Sequence, residues 1–135
     1  MSQPDTAALI ETARKAADQA YCPYSNYPVG AALLAEDGRV FTGCNVENAS
    51  YGLTICAERV AITGAVAQGA RKFVALALAA GQDQPATPCG ACLQVLVEFC
   101  PADMPVSFAP LSGGTVRTLP LGDFLPHAFR LEQGQ

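Results

Sequence analysis

The sequence predicts an α/β protein, a three-layer α/β/α sandwich around a mixed five-stranded sheet whose last two strands run antiparallel. Three observations carry that prediction. Helix-periodic segments alternate with short apolar runs along the chain. One of those runs, Lys72 to Ala80, is apolar almost throughout, as in a central strand covered on both faces. The final two runs are joined only by Pro110 to Gly114, whereas a parallel crossover needs about a dozen residues or more, so they should pair antiparallel.

Each element can be justified in turn. Pro4 to about Ala20 places Leu9, Ile10, Ala13, Ala17 and Ala20 on one side at helical spacing, with Pro4 as its first helical residue. Tyr21 to Pro28 is too rich in proline and turn residues for regular structure, and its three tyrosines exceed what a plain connector needs. Val29 to Ala35 and Val40 to Cys44 read as strands joined through Asp37-Gly38, a strong hairpin signal. Val46 to Leu53 is polar and irregular. Thr54 is the expected N-cap of a helix over Ile55 to Gln68, with Gly69 as its stop. Gly81 to Ala86 is loop, and Thr87-Pro88 opens a helix that runs to about Phe99. Val106 to Ala109 and Thr115 to Thr118 form the last hairpin, followed by a short helical tail near Gly122 to Leu125.

Length and composition narrow the function. The 135 residues suit one domain over 1–135. Half are hydrophobic and only 15% are charged, which excludes a disordered chain. Eight basic against 12 acidic residues, for a formal charge of −4, leave no means of building a large basic patch. No nucleic-acid partner is therefore expected, and a small molecule is the better substrate. The N-terminus shows no cationic stretch before an apolar run, and Phe73 to Ala80 is far short of the roughly 20 residues a membrane span requires. A cytoplasmic, non-membrane protein is expected. In that compartment six cysteines point to metal binding or catalysis before disulfides.

Two cysteine groups fall at predicted helix starts: Cys56 in Thr-Ile-Cys-Ala-Glu-Arg, and Cys89 with Cys92 in Thr-Pro-Cys-Gly-Ala-Cys. Helix N-termini carry partial positive charge and free N–H groups, which favour thiolate. Three thiolates from two helix ends can hold zinc and leave a fourth position open, the catalytic pattern of zinc sites. Glu58, two residues after Cys56, does not share its direction on a helix, so it is better placed to exchange a proton with water at the metal than to ligate it. Three thiolates leave a zinc centre formally at −1. Arg59, three residues after Cys56 and on its helical face, supplies the balancing charge.

A non-ligand Glu together with a Pro-Cys-x-x-Cys element matches the zinc deaminase signature. With Cys56-Ala-Glu-Arg59, Pro88-Cys-Gly-Ala-Cys92, Cys44-Asn-Val-Glu-Asn48 and Tyr24-Ser-Asn-Tyr-Pro-Val-Gly-Ala-Ala32, the chain resembles the homotetrameric zinc-dependent cytidine deaminases from about Tyr21 to Phe129. That resemblance implies one zinc per subunit on Cys56, Cys89 and Cys92, with Glu58 as proton shuttle. It implies that the Ala57 backbone and Glu58 read the edge of the pyrimidine, that Asn45 and Glu47 bind the ribose 3′-hydroxyl, and that Tyr27 packs beside the base. It also implies a homotetramer in which Phe129 closes a neighbouring subunit's pocket. The implied activity is hydrolytic deamination of cytidine and 2′-deoxycytidine to the uridines with release of ammonia, in pyrimidine salvage. One departure is Leu93, where many relatives carry Arg after the second ligand of the pair, leaving more of the charge balance to Arg59.

Other readings stand beside this one. The substrate could instead be an aminopyrimidine antibiotic such as blasticidin S or a modified nucleoside, although Asn45 and Glu47 favour a plain ribose. Cys89 and Cys92 could be a dithiol redox pair. Zinc could be structural, closed by a fourth ligand from Cys22, Cys44, Cys100 or His127, though none has finger-like spacing. Those three cysteines are otherwise small buried hydrophobes, and His127 belongs to the surface or an interface. Gly43 and Gly90 read as backbone necessities, near a strand end and at a tight helix start.

Overall fold

A computed structural model describes residues 5–82 and 86–131 of the chain. Helix α1 spans Thr6–Ala17, and the strands are β1 Val29–Ala35, β2 Val40–Cys44, β3 Phe73–Ala80, β4 Pro105–Ala109 and β5 Arg117–Pro120. Helix α2 covers Ala57–Ala67, α3 Gly90–Phe99 and the short α4 Leu121–Phe124. The five strands form one sheet in the order β2-β1-β3-β4-β5. Only β3 and β4 are parallel, with α3 as their crossover, and β4 pairs β5 antiparallel as expected.

Alternation along β3 divides the core into two layers. Ala75, Ala77 and Ala79 face Leu9, Ile10 and Ala13 of α1, while Leu76 and Leu78 face the residues of α2 and α3. The alanine side lets α1 settle close to the sheet. At its closest approach no side chain fits at all, because a Cβ on Gly30 would lie 1.9 Å from the Ala13 carbonyl oxygen. Gly43 on β2 serves α2 in the same way, so it is a backbone necessity for a packing reason.

Several boundaries differ from expectation. The N-cap of α1 is Asp5, whose carboxylate accepts from the Ala8 N–H; Pro4 lies outside the described residues. The helix stops at Ala17, so Ala20 is not on its buried face. Thr54 does not cap α2: its hydroxyl donates to the Tyr51 carbonyl and closes a 3-10 turn over Tyr51–Leu53, within the stretch expected to be irregular. Ile55 is held extended by a two-way bridge to Val46, which delays the helix and makes Cys56 the N-cap. At α3 the same shift occurs, and Cys89 replaces Thr87 as the cap. Strand β5 begins later than expected because Gly113 and Gly114, both at positive φ, widen the connector. Gly90 has open space around its Cβ position and no positive φ, so neither packing nor turn geometry requires a glycine there.

Candidate metal centre

The delayed helix starts are what bring the sulfurs together. Cys56 and Cys89 are the N-caps of α2 and α3, both with extended backbone, and Cys92 lies one turn inside α3 and fully buried. Cys89 Sγ accepts the Cys92 backbone N–H at 3.4 Å, performing the capping task usually given to an oxygen. Cys89 Sγ lies 3.2 Å from Cys92 Sγ and 3.9 Å from Cys56 Sγ. All three sulfurs fall within 4.8 Å of one another, and among the described residues no fourth Cys, His, Asp or Glu joins the group.

The donor set fits zinc. Tetrahedral ligands about 2.3 Å from the ion sit roughly 3.8 Å apart. The Cys56–Cys89 separation of 3.9 Å meets that value, and the 3.2 Å Cys89–Cys92 pair need open only slightly. Among the described residues no ligand closes a structural site: Cys22, Cys44, Cys100 and His127 lie outside the cluster. Cys100 is a buried hydrophobe as expected, whereas Cys22 and Cys44 are only half-buried, and His127 is exposed.

The surroundings of Cys56 favour its thiolate. Cys56 is drawn down to about 5 by hydrogen bonding with Cys92, by the Arg59 guanidinium and by Cys89, against the opposing effect of burial. Cys92 moves upward, because it donates to Cys56 and is buried. Arg59 Nη2 donates to Cys56 Sγ at 3.5 Å and to the Thr54 carbonyl at 3.2 Å, while its Nε is buried with no hydrogen-bond partner. Leu93 is buried in the core with α2, so no side-chain charge is added at that position.

Glu58 is 5% exposed in the first turn of α2. Burial is the main reason its carboxyl is pushed above the ordinary range, with the Cys56 sulfur adding to the effect. A carboxyl so displaced exchanges protons nearer neutrality than an exposed glutamate does. Ala57, between Cys56 and Glu58, is completely buried.

Asn45 and Glu47, both buried, flank Val46, and the Val46–Ile55 bridge ties their segment to the residue before Cys56. Asn45 Oδ1 accepts the Val29 N–H and its Nδ2 donates to the Tyr27 carbonyl, each at 2.9 Å. Glu47 Oε1 accepts the N–H groups of Tyr24 and Ser25, and Oε2 accepts the Ser25 hydroxyl. Burial alone would raise the Glu47 carboxyl, but these donors outweigh it and hold the group below its usual range.

Comparison with known proteins agrees with this geometry. Residues 4–108, which include all three cysteines, match the model of the cytidine and deoxycytidylate deaminase zinc-binding region. The chain belongs to that family. Cytidine deaminases of Sporosarcina psychrophila and Halalkalibacterium halodurans are 51% and 48% identical over 128 residues, 95% of this chain and 93% and 96% of theirs. The crystal structure of the cytidine deaminase from Burkholderia pseudomallei superposes with a TM-score of 0.87 at 49% identity, covering 96% of this chain and all of that one. The Mycobacterium tuberculosis cytidine deaminase gives 0.83 at 44% identity, with 96% and 100% covered. The fold class stands as expected, and a redox-only or finger-like role for the cysteines falls away with membership of a zinc-binding deaminase family.

Within this family member, the cysteines, Glu58 and Arg59 meet at the two helix starts. Tyr27, 42% exposed, is tied by its carbonyl to Asn45. Phe129 has its ring largely open to solvent, and its carbonyl accepts from Gln94 of α3 at 2.8 Å. Sequence reasoning missed Ser25 and Gln94, the side chains that hold Glu47 and the Phe129 segment in place. Neither carries a periodic or spacing signal, since their partners lie 22 and 35 residues away. No helix among the described residues is long and apolar enough to cross a membrane.

Proposed function

We propose that the chain hydrolyses the exocyclic C4–N bond of cytidine and 2′-deoxycytidine, consuming one water and yielding the uridine and ammonia. The observation that carries this reading is a triangle of three sulfurs with no fourth protein ligand among the described residues, beside a buried glutamate. Cys56, Cys89 and Cys92 hold one zinc per chain, which supplies the Lewis acidity that makes water nucleophilic near neutral pH.

Glu58 receives a proton from the attacking water and delivers it to pyrimidine N3, then takes the proton of the hydroxyl added at C4 and passes it to the departing amine as the C4–N bond breaks and the C4 carbonyl forms. The raised carboxyl suits a group that must both take and give a proton. The Ala57 backbone and Glu58 read the pyrimidine edge, and Tyr27 packs beside the ring. Asn45 and Glu47 retain unused hydrogen-bonding capacity for the ribose 3′-hydroxyl, and a sugar lacking it would leave buried polar atoms unpaired. Arg59 offsets the excess negative charge of the thiolates.

The assembly is a homotetramer in which Phe129 reaches a neighbouring subunit's pocket, supported by the exposure of its ring. The enzyme works in the cytoplasm, in pyrimidine salvage. An absorbance assay for cytidine loss, with and without a zinc chelator, tests the reading. Loss that stops on chelation and returns with zinc supports it, whereas an unreactive zinc-loaded protein sinks it.

A further inference from the structure

Tyr27 is clamped at both ends of its backbone. Asn45 Nδ2 holds its carbonyl at 2.9 Å, and its N–H donates to Ser25 Oγ at 3.1 Å. The same Ser25 hydroxyl spends its only proton on Glu47 Oε2. One exposed loop serine therefore joins a buried carboxylate to the peptide that carries a tyrosine, while Asn26 between them takes a left-handed φ of 54° that keeps the turn tight.

The acceptor inventory gives this link a consequence. An ionised carboxylate offers about four acceptor directions. Here Oε1 takes two N–H donors, from Tyr24 and Ser25, and Oε2 takes the Ser25 hydroxyl. The remaining direction belongs to Oε2, and Ser25 determines where it points. Among the described residues all three of these donors come from the Tyr24–Ser25 turn, so the carboxylate and the loop are set as one unit.

We infer that Ser25 is a positioning residue for nucleoside recognition, orienting the free lone pair of Glu47 toward the sugar and fixing the Tyr27 backbone beside the base. It touches neither substrate nor metal in this role and acts through Glu47 and Tyr27. The inference rests on the reading of Glu47 and Tyr27 as substrate-binding residues.

Zinc-loaded Ser25→Ala and Ser25→Thr, compared with the wild type, test it. Loss of a charge-assisted hydrogen bond predicts a roughly tenfold rise in the KM for cytidine in Ser25→Ala. The value of kcat should stay within about twofold, since the acid–base group and the cysteines are untouched. Ser25→Thr keeps the hydroxyl and should restore most of the KM. In Glu47→Gln the added Ser25→Ala change should have little further effect, because contacting residues couple. An unaltered KM in Ser25→Ala overturns the inference. So does a parallel fall in kcat and melting temperature that threonine does not repair, which is the mark of a purely structural residue. A carbon-13 titration of the Glu47 carboxyl reads the link without turnover: its midpoint should rise in Ser25→Ala, and an unmoved midpoint also overturns the inference. If wild-type protein leaves cytidine untouched, the functional reading fails, while the titration still decides whether Ser25 governs Glu47.

Discussion

Gly43 of β2 and Ala57 of α2 are in direct backbone contact: a Cβ on the glycine would sit 2.3 Å from the Ala57 carbonyl oxygen and 2.6 Å from the Ala61 nitrogen. The helix turn next to Cys56 and containing Glu58 is thus seated on the strand with no side chain between them. Gly43→Ala must push that turn outward. Overpacking of this kind destabilises by about 1–3 kcal/mol. We expect a lower melting temperature together with weakened zinc retention, read by thermal unfolding and metal analysis on the same sample.

Glu58→Gln should keep zinc and fold normally, because glutamine preserves shape and only the acid–base function is removed. Proton-transfer groups typically contribute about 10²–10⁴-fold, so cytidine turnover should fall by at least that range. Near-normal turnover would remove Glu58 from the shuttle role.

Arg59→Met deletes the cation that helps hold Cys56 down to about 5. In chelator-treated protein, the pH midpoint for alkylation of Cys56 should move upward. Zinc should also be surrendered at lower chelator concentration. An unchanged midpoint would mean that the Cys92 and Cys89 sulfurs maintain the thiolate without the cation.

Glu47 offers a prediction in acid. Its folded carboxyl lies below the unfolded value of 4.5, so its contribution to stability is fully present above that pH and is lost as pH falls toward the folded value. Unfolding free energies measured from pH 7 down to 3 should converge for the wild type and Glu47→Gln at the acid end. A constant gap across the range would contradict the ionised, hydrogen-bonded Glu47 described above.

Gln94→Ala combined with Arg130→Ala frees the segment around Phe129, since Arg130 donates to the Val97 carbonyl at 2.7 Å and Gln94 holds Phe129. If Phe129 completes a neighbour's pocket, KM should rise while zinc content stays constant. Under the proposed homotetramer, sedimentation of the double variant should show fewer particles of four 14.0 kDa chains than the wild type gives.

The hairpin of β1 and β2 was legible because Asp37-Gly38 supplies a turn and the flanking runs are clear. The cysteine triad was legible because its three thiols fall at two expected helix starts with a glutamate and an arginine close behind the first. The helix starts themselves were misjudged. Thr54 and Thr87 are orthodox caps, but the Val46–Ile55 bridge and the capping sulfur of Cys89 moved both helices along the chain. Such contacts depend on tertiary neighbours that local propensity does not contain. The Ser25–Glu47 tie was invisible for the same reason, its partners being 22 residues apart across an aperiodic loop.

Cys56 and Cys89 stand 33 positions apart and enclose α2 and β3, so an ion gripping those sulfurs staples a long stretch of chain as well as serving chemistry. Metal loading and folding then become one equilibrium for the centre of the molecule. Depleting the ion should let the two helix beginnings fray in concert while the far hairpin stays protected, a pattern that amide exchange can resolve residue by residue.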